Sequence, residues 1–315
     1  MRAYQYRCND YSLLTPLFKK IAVAPLIKFV PWGLPANIIT LVSNTFIYAG
    51  LYLAMNPVSN YNTLLISFCM LAYLVGDHLD GMQAKRTGTG SALGEFCDHY
   101  LDAFNNGIIS FTLFTAFGTT NTILIGSVIA ISYLAHIAIF YEQFKTGWLT
   151  FEKLGSLEAV LLTVLIFALA SIDVVDAWLK LNVIFSLTIF DLIMLGSAIG
   201  ASLTFFNTIK RTPDVKFSFW IFCFLLSAVT ILSFLLFDNF YVFVIVSLYA
   251  SLYVGRVMRG HLVDGVERNT DLITPLYLLL FFLFDFLLSL HIGHLKLNLS
   301  PFFINPSKFL QTCSR

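Results

Sequence analysis

Long apolar runs separated by short polar connections dominate this chain of 315 residues. About nine of these runs approach the roughly 20 residues that an α-helix needs to cross a bilayer. They extend over residues 37–55, 62–80, 98–118, 122–141, 157–172, 181–206, 217–237, 240–255 and 272–292. The pattern predicts an all-α fold, a polytopic membrane helical bundle with about nine transmembrane helices.

The segments outside these runs are more polar. A mildly amphipathic stretch from Leu13 to Val30 carries three lysines and is expected to form an amino-terminal interfacial helix. The predicted organisation is an amino-terminal segment at 1–36, a helical core at 37–206, additional transmembrane helices at 207–292 and a polar tail at 293–315. No cleavable signal peptide is expected, because the first 20 residues lack a short apolar core with a small-residue cleavage site.

Composition agrees with a membrane environment. Hydrophobic residues make up 58% of the chain, only 12% are charged, and the mean hydropathy is +0.80. About a quarter of the residues of an ordinary soluble domain are charged. The net charge of +1, without a sustained basic stripe, argues against a nucleic-acid-binding surface.

The distribution of basic residues predicts an orientation. With the amino terminus inside, almost all of the 19 lysines and arginines fall on the inner side. The exceptions are Lys180, Lys296, Lys308 and Arg315. Under the positive-inside rule this bias places the connection near residue 90 in the cytoplasm.

One polar cluster lies at the mouth of two apolar runs and reads DHLDGMQAKRTGTGSALGEFCDHYLD, from Asp77 to Asp102. If it is helical, Asp77 and Asp80 are i,i+3 neighbours, while Gly94, Asp98 and Asp102 follow one another at i+4. Four carboxylates held close together repel unless cations lie between them. Hard oxygen ligands suit Mg²⁺, Mn²⁺ or Ca²⁺ better than zinc, so the cluster predicts a divalent metal.

The spacing resembles the signature of the CDP-alcohol phosphotransferases, also called CDP-alcohol phosphatidyltransferases, which join a phospho-headgroup to a lipid in the membrane. That signature is DxxDGxxAR, then eight residues, then GxxxDxxxD. The residues that carry it here are Asp77, Asp80, Gly81, Ala84, Gly94, Asp98 and Asp102, with Lys85 where the family usually has Arg. Gly81 and Gly94 are expected to let two helix backbones approach closely.

Other segments extend the resemblance to the eukaryotic choline/ethanolamine phosphotransferases. These are YQYRCNDYSLL from Tyr4, PWGLPANIITL from Pro31, and the segment from Tyr141 to Glu158. This branch takes a CDP-headgroup and a lipid alcohol, whereas another branch takes CDP-diacylglycerol and a small polar alcohol. Tyr100 departs from the eukaryotic pattern, which usually has Gly there. The resemblance also makes a homodimer the expected assembly.

The resemblance implies metal and proton-transfer roles. Asp77, Asp80 and Asp98 are expected to bind the metals, Mg²⁺ or Mn²⁺ in a two-metal site. Asp102 would complete the second site or accept the proton of the attacking hydroxyl. His99 is the rival base, and the alternative is that it only orients Asp98.

It also implies substrate contacts. Lys85 and Arg86 are expected to hold phosphate oxygens. Asn37 matches a residue near the nucleotide, although an Asn at a helix start is also a common N-cap. Glu158 matches a Glu of the eukaryotic pattern and is expected to help build the headgroup or acceptor pocket.

Two other classes of protein are alternatives: an ion-coupled transporter and an inactive scaffold. A transporter is expected to carry acidic residues near the bilayer midplane, often with an internal repeat, and no repeat is evident. A scaffold is expected to have lost a carboxylate, and all four are present. Asp191 and Asp285, which have no motif around them, are expected to be structural. The sequence does not choose the headgroup or the acceptor lipid.

Overall fold

The computed structural model describes residues 6–56 and 59–292, so the predicted polar tail lies outside the described residues. The described chain is helical apart from two small two-stranded sheets. Its long helices are α3 (Ala36–Met55), α4 (Asn60–Thr87), α5 (Ala92–Phe117), α6 (Thr122–Thr146), α7 (Ser156–Ala170), α9 (Ile189–Arg211), α10 (Phe217–Leu236), α11 (Asn239–Arg259) and α12 (Ile273–Ile292). Each of the nine predicted runs overlaps one of these helices, so the all-α class is confirmed.

Shorter elements connect the long helices. Strand β1 (Cys8–Asp10) begins the described chain, and β2 (Leu149–Phe151) follows α6. The short helix α8 (Asp173–Leu179) follows α7, and the strands β3 (Asn182–Ile184) and β4 (Leu187–Thr188) form a hairpin before α9. A π-helical turn over Gly260–Asp264 continues α11.

The amino-terminal segment is a broken helix. It consists of α1 (Thr15–Phe18), a π-helical turn (Lys19–Val23), α2 (Ala24–Leu26) and a 3-10 turn (Ile27–Phe29). Pro16 and Pro25 lie in the first turns of α1 and α2, where a missing N–H is tolerated. The predicted amino-terminal helix is therefore present, and its position in the membrane interface stays a prediction.

Six of the described helices are long and apolar enough to cross a membrane, or seven if α7 and α8, which are bent by 120°, count as one span. Helix α5 is less apolar because it carries three carboxylates and two amides between Glu95 and Asn106. The apolar part of α12, Ile273–Leu287, is shorter than these six helices. The chain is a multi-pass membrane protein, but the expected count of nine spans is not confirmed.

The predicted run at 181–206 was wrong at its start. Residues 182–188 form the β3–β4 hairpin, in which Phe185 and Ser186 have φ angles of 49° and 64°. Helix α9 begins only at Ile189, where Thr188 and Asp191 form a reciprocal capping box, with the Asp191 N–H donating to the Thr188 hydroxyl at 3.1 Å. Asp191 also accepts from the Thr119 hydroxyl at 2.9 Å, which agrees with the structural role expected for it.

Helix α3 packs along both α4 and α5, and α5 in turn packs against α11. Gly107 of α5 permits close packing with α6 and α11. A Cβ at this position would lie 2.2 Å from the Tyr133 hydroxyl and 2.5 Å from the Ser247 hydroxyl. These contacts fix α5, the helix that carries half of the acidic cluster, between the first and last thirds of the bundle.

The amino-terminal strand joins two distant parts of the chain. Strand β1 pairs in parallel with β2, so that Cys8 lies opposite Leu149. The Ser12 hydroxyl then donates to Glu158 at 2.5 Å. Two segments that separately resemble the eukaryotic branch are therefore neighbours in space.

Candidate metal centre

The acidic cluster forms where the end of α4 meets the start of α5. Gly88 ends α4 with a φ of 67°, and the Ser91 side chain caps α5 by accepting the Gly94 N–H at 3.1 Å. The tight connection turns the chain back on itself. Asp77 and Asp80, near the end of α4, are thereby brought toward the first turns of α5.

Three of the four aspartates meet at one point. One carboxylate oxygen each from Asp77, Asp98 and Asp102 lies within 4.8 Å of the others. Asp80 is not a member of this group: it is buried beside it and accepts a short hydrogen bond from the Thr40 hydroxyl. The predicted convergence of the two acidic helix faces is thus seen for three side chains, and the fourth, Asp80, lies about one helical turn from Asp77.

These carboxylates lack a basic counterion. Among the described residues, no lysine or arginine lies within 4.0 Å of any of the four, and only His78 and His99 approach, at 3.4 Å from Asp77 and 4.0 Å from Asp98. Asp98 Oδ1 is buried and has no hydrogen-bond partner within the described part of the chain. An oxygen-only donor set with uncompensated charge and a free buried lone pair fits a hard divalent cation.

A layer of uncharged polar side chains supports the cluster, and sequence analysis missed it. The Tyr73 hydroxyl donates to Asp102 Oδ1 at 2.8 Å. The Asn105 amide donates to Asn44 Oδ1 at 2.8 Å, and Asn44 in turn donates to the Thr40 carbonyl at 2.7 Å. The available signal was helical spacing, because Thr40 and Asn44, like Tyr73 and Asp77, are separated by four residues.

The two motif glycines differ. A Cβ at Gly94 would lie 3.1 Å from Asn37 Oδ1, so Gly94 allows α5 to approach the start of α3, a different helix from α4, the other helix of the acidic cluster. A Cβ at Gly81 would meet no atom within 4 Å. The expected close backbone approach at Gly81 is therefore wrong, and this exposed glycine instead leaves open space on α4 next to Asp80.

Lys85 and Arg86, the basic pair that follows the first half of the motif, differ in their contacts. Lys85 is exposed, and no salt bridge to it is present among the described residues. Arg86 donates to the carbonyl oxygens of Ile27 at 2.7 Å and Val30 at 2.5 Å, and its guanidinium lies 4.8 Å from the Trp32 ring. In this structure Arg86 fastens the amino-terminal helix to α4.

His99 is buried and lies 4.9 Å from the Phe140 ring. Its Nε2 is 4.0 Å from Asp98, and its Nδ1 is 4.0 Å from Glu95 and has no hydrogen-bond partner in residues 6–56 and 59–292. Both separations are too long for hydrogen bonds. Glu95, which sequence analysis did not select, accepts from the Gln143 amide at 2.6 Å.

Glu158 lies at the first turn of α7, where three donors surround it. It accepts from the Ser12 hydroxyl, from the Leu14 N–H at 3.1 Å and from the Gly155 N–H at 2.8 Å. These bonds give it a capping and tethering role in this structure. Its expected part in a substrate pocket stays a prediction.

Fold and site together define a polytopic helical membrane protein with three carboxylates placed to hold a divalent cation at the helix ends. Residues 34–188 match the family described as CDP-alcohol phosphatidyltransferase. The chain carries a domain of this family, and that domain contains the complete acidic cluster.

Several curated relatives are similar to the chain. An uncharacterized CDP-alcohol phosphatidyltransferase class-I family protein of Schizosaccharomyces pombe is 28% identical over 57% of this chain and 49% of its own length. Choline/ethanolaminephosphotransferase 1 of Saccharomyces cerevisiae is 26% identical over 62% of this chain and 56% of its own. A CDP-diacylglycerol–serine O-phosphatidyltransferase of Encephalitozoon cuniculi is 29% identical over 38% and 32%. The chain spans about half the length of the first two.

Proposed function

We propose that this protein transfers a phospho-headgroup, phosphocholine or phosphoethanolamine, from its CDP-linked donor to the hydroxyl of a lipid such as diacylglycerol, with release of CMP. The observation that carries the proposal is the convergence of Asp77, Asp98 and Asp102 without a basic partner, inside a domain of the CDP-alcohol phosphatidyltransferase family. The pyrophosphate of the donor would bring further negative charge to these aspartates, so a cation has to compensate both the carboxylates and the pyrophosphate.

The reaction exchanges one phosphorus–oxygen bond for another. The acceptor hydroxyl oxygen bonds to the phosphorus that carries the headgroup, and the bond from that phosphorus to the bridging oxygen of CMP breaks. CMP leaves with the electron pair, and the hydroxyl proton passes to a base. Mg²⁺ or Mn²⁺ held by the aspartates would supply neutralisation of the phosphate charge and alignment of the attacking and leaving oxygens.

Four aspartates would hold the metals, with Asp80 adding its carboxylate to the three that converge. Tyr73 fixes the rotamer of Asp102 through its hydrogen bond, and Thr40 does the same for Asp80. Asp102 and His99 are the two candidate proton acceptors. His99 would act from outside the metal shell, because its ring lies 4.0 Å from the nearest oxygen of Asp98.

The remaining motif residues would bind the donor. Lys85 is free to contact phosphate oxygens as a point charge, whereas Arg86 would first have to release the carbonyls of Ile27 and Val30. Open space at Gly81 and the proximity of Asn37 to Gly94 leave the nucleotide a surface between α3, α4 and α5.

The choice of branch rests on the extent of similarity. The alignment with the yeast choline/ethanolaminephosphotransferase covers 226 residues, against 124 for the serine phosphatidyltransferase. The longer alignment supports a headgroup-carrying nucleotide and a lipid acceptor. Transfer of a phosphatidyl group from CDP-diacylglycerol to a small alcohol is the second candidate, supported by the shorter match.

The proposal includes an active site that faces the cytoplasm and a homodimeric assembly. The first follows from the bias of basic residues along the chain, and cysteine labelling from either side of the membrane tests it. The second follows from the family resemblance, and the mass of the protein–detergent complex tests it.

The transfer assay uses the full chain reconstituted in phosphatidylcholine vesicles with diacylglycerol. CDP-choline and CDP-ethanolamine labelled in the headgroup should each be tested, and we expect labelled lipid and free CMP from at least one. CDP-diacylglycerol with labelled serine, inositol or glycerol phosphate should give no labelled lipid. Product from CDP-diacylglycerol alone would replace the first candidate with the second, and no product from either donor would remove both.

A further inference from the structure

A lateral groove of about 700 Å³ opens between the first half of α5 and the end of α11. Its apolar wall includes Leu93, Phe96 and Tyr100 of α5, which share one helix face, and Leu252 of α11. Leu93 is 67% exposed and Leu252 is 46% exposed. The groove is therefore open and apolar, and protein side chains do not fill it.

The aromatic part of this wall is built around Tyr100, the residue that departs from the eukaryotic pattern. The rings of Phe96 and Tyr100 stack with centroids 5.3 Å apart and planes inclined by 13°. A Cβ at Gly255 would lie 3.1 Å from Tyr100 Cε2, so the glycine lets the ring approach α11. The result is a wall with two stacked aromatic rings, an apolar surface against which acyl chains can pack.

The groove lies on the opposite side of α5 from the metal centre. Phe96 and Tyr100 are each two residues from Asp98, which corresponds to about 200° around a helix. A molecule in the groove would thus contact the back of the helix whose front carries Asp98 and Asp102. It belongs to a second site and not to the reaction centre.

One end of the groove is basic. Arg256, Arg259 and Arg268 line it, and none of its described lining residues is acidic. Two carboxylates lie behind them: Asp264 pairs with Arg268 at 3.0 Å and with Arg259 at 3.8 Å, and Asp271 interacts with Arg256. Three guanidiniums against two carboxylates leave a positive excess.

The arginines are also unequally engaged. Arg256 donates to the Asn269 carbonyl at 2.6 Å through Nη1. The Arg259 side chain is 63% exposed and, among the described residues, makes one long ionic contact, with Asp264. Arg259 therefore has donors available for a phosphate at the level of the helix ends, where lipid headgroups lie.

We propose that this groove binds an anionic phospholipid, with acyl chains along Leu93, Phe96, Tyr100 and Leu252 and with the headgroup phosphate at Arg256 and Arg259. Basic pockets between transmembrane helices recognise anionic headgroups in this way. A neutral diacylglycerol would leave the positive excess of the three guanidiniums over the two carboxylates uncompensated. The bound lipid would brace α5 against α11 and so steady the helix that carries Asp98 and Asp102.

The test measures binding and is independent of transfer. Delipidated full-length protein in neutral detergent is titrated with dioleoylphosphatidylglycerol or dioleoylphosphatidylcholine, and retained lipid is counted by native mass spectrometry alongside the thermal shift. We expect preferential retention of phosphatidylglycerol. Arg256→Gln and Arg259→Gln should weaken it by about fivefold for each arginine removed.

Matched variants separate the site from general effects. Lys210→Gln changes an exposed basic residue at the end of α9, at the same end of the bundle, and should leave retention unchanged. Leu252→Gln should weaken retention, whereas Leu248→Gln, one turn earlier with 48% exposure, should not. Should Arg256→Gln fail to fold, Arg259→Gln alone still tests the site.

Three results would overturn the proposal. Equal retention of the two lipids would remove the anionic selectivity. Unchanged retention in folded Arg259→Gln and Leu252→Gln proteins would remove the groove. An equal thermal shift from glycerol phosphate without acyl chains would replace the lipid by a small anion. An inactive protein that binds phosphatidylglycerol as described would leave this proposal intact and count only against the proposed transfer.

Discussion

Two groups of acidic side chains lie at the same end of the helical bundle and differ in their counterions. In the metal centre, no lysine or arginine among the described residues is within 4.0 Å of the four aspartates. In the second group, Lys145 contacts Glu267 at 2.6 Å, and Arg211 contacts Glu142 through Nε at 2.9 Å and Nη2 at 3.1 Å.

The paired acids join separate parts of the chain. Arg211 connects the end of α9 to Glu142 in α6, and Glu267 connects the segment after α11 to α6 and the start of α10. The Tyr141 hydroxyl also donates to Glu267 at 2.7 Å. Burial alone raises the pKa of Glu267, but the bonds from Lys145 and Tyr141 outweigh it and hold that pKa below its usual range. These acids have their charge compensated by the protein itself.

The contrast shows how a structural acid differs from one reserved for a ligand. Both groups contain largely buried carboxylates, so burial does not distinguish them. The two groups differ in whether a basic side chain compensates the carboxylates. A buried carboxylate without a counterion lowers stability, so we expect it where a cation is to be bound.

Removal of divalent metal should have the largest effect. We expect the transfer activity to disappear after exhaustive chelation and to return with added Mg²⁺ or Mn²⁺, because the aspartates otherwise repel the pyrophosphate. The measurement is headgroup transfer in chelator and after titration with each metal. Full turnover in metal-free protein would show that the unpaired aspartates are not a catalytic metal site.

Asp98→Asn should reduce transfer by at least about 100-fold, since removal of one charge-stabilising group commonly costs that much. Its melting temperature in chelator should stay the same or rise, because one of several repelling charges is removed. Transfer rate and thermal unfolding of the same preparation check both expectations. Asp285→Asn, on the exposed face of α12, is the control and should retain activity. Equal losses in the two variants would mean that the site is misassigned.

Glu267→Gln should show the opposite pattern. The change leaves Lys145, whose side chain is 12% exposed, without its closest charge, and breaking a buried pair costs roughly 3–5 kcal/mol. We expect a lower melting temperature with unchanged transfer per folded molecule. Asp214→Asn, at an exposed loop position, should unfold like the wild type. A stable but inactive Glu267→Gln protein would contradict the division into two groups.

Lys216→Ala should have the smallest effect. Lys216 lies 3.5 Å from Glu267, and its side chain is 61% exposed. Exposed ion pairs contribute about 0–1 kcal/mol and are screened by salt, so the melting temperature should change little. Thermal unfolding of Lys216→Ala and Lys145→Ala side by side measures the difference. Similar destabilisation of both variants would mean that the exposure of the lysine does not determine how much each ion pair with Glu267 contributes to stability.

Sequence spacing predicted the carboxylates because each helix face is set by local geometry. Asp98 and Asp102 are one turn apart on any helix, so the meeting of α4 and α5 required only a tight turn between them. Thr40 and Tyr73 were not predicted, because a lone polar side chain in an apolar run more often packs than supports a site. Their role depends on which helices α3 and α4 contact, and that is decided by tertiary packing.

Two further features lay beyond local pattern. The apolar residues of 181–188 are compatible with part of a transmembrane helix or with a strand. The hairpin depends on the positive φ angles at Phe185 and Ser186, which the apolar pattern does not encode. The pairing of β1 with β2 joins strands that are far apart in the chain, so local sequence patterns do not predict it.

That pairing sets an order of events during synthesis. Ser12 leaves the ribosome 146 residues before its partner Glu158, and at about 5–20 residues per second the interval is roughly 7–30 s. During that interval α3 to α6 are synthesised, and strand β1 cannot yet pair with β2. Strand β1 is therefore synthesised before β2 and can pair with it only after α6 has been made.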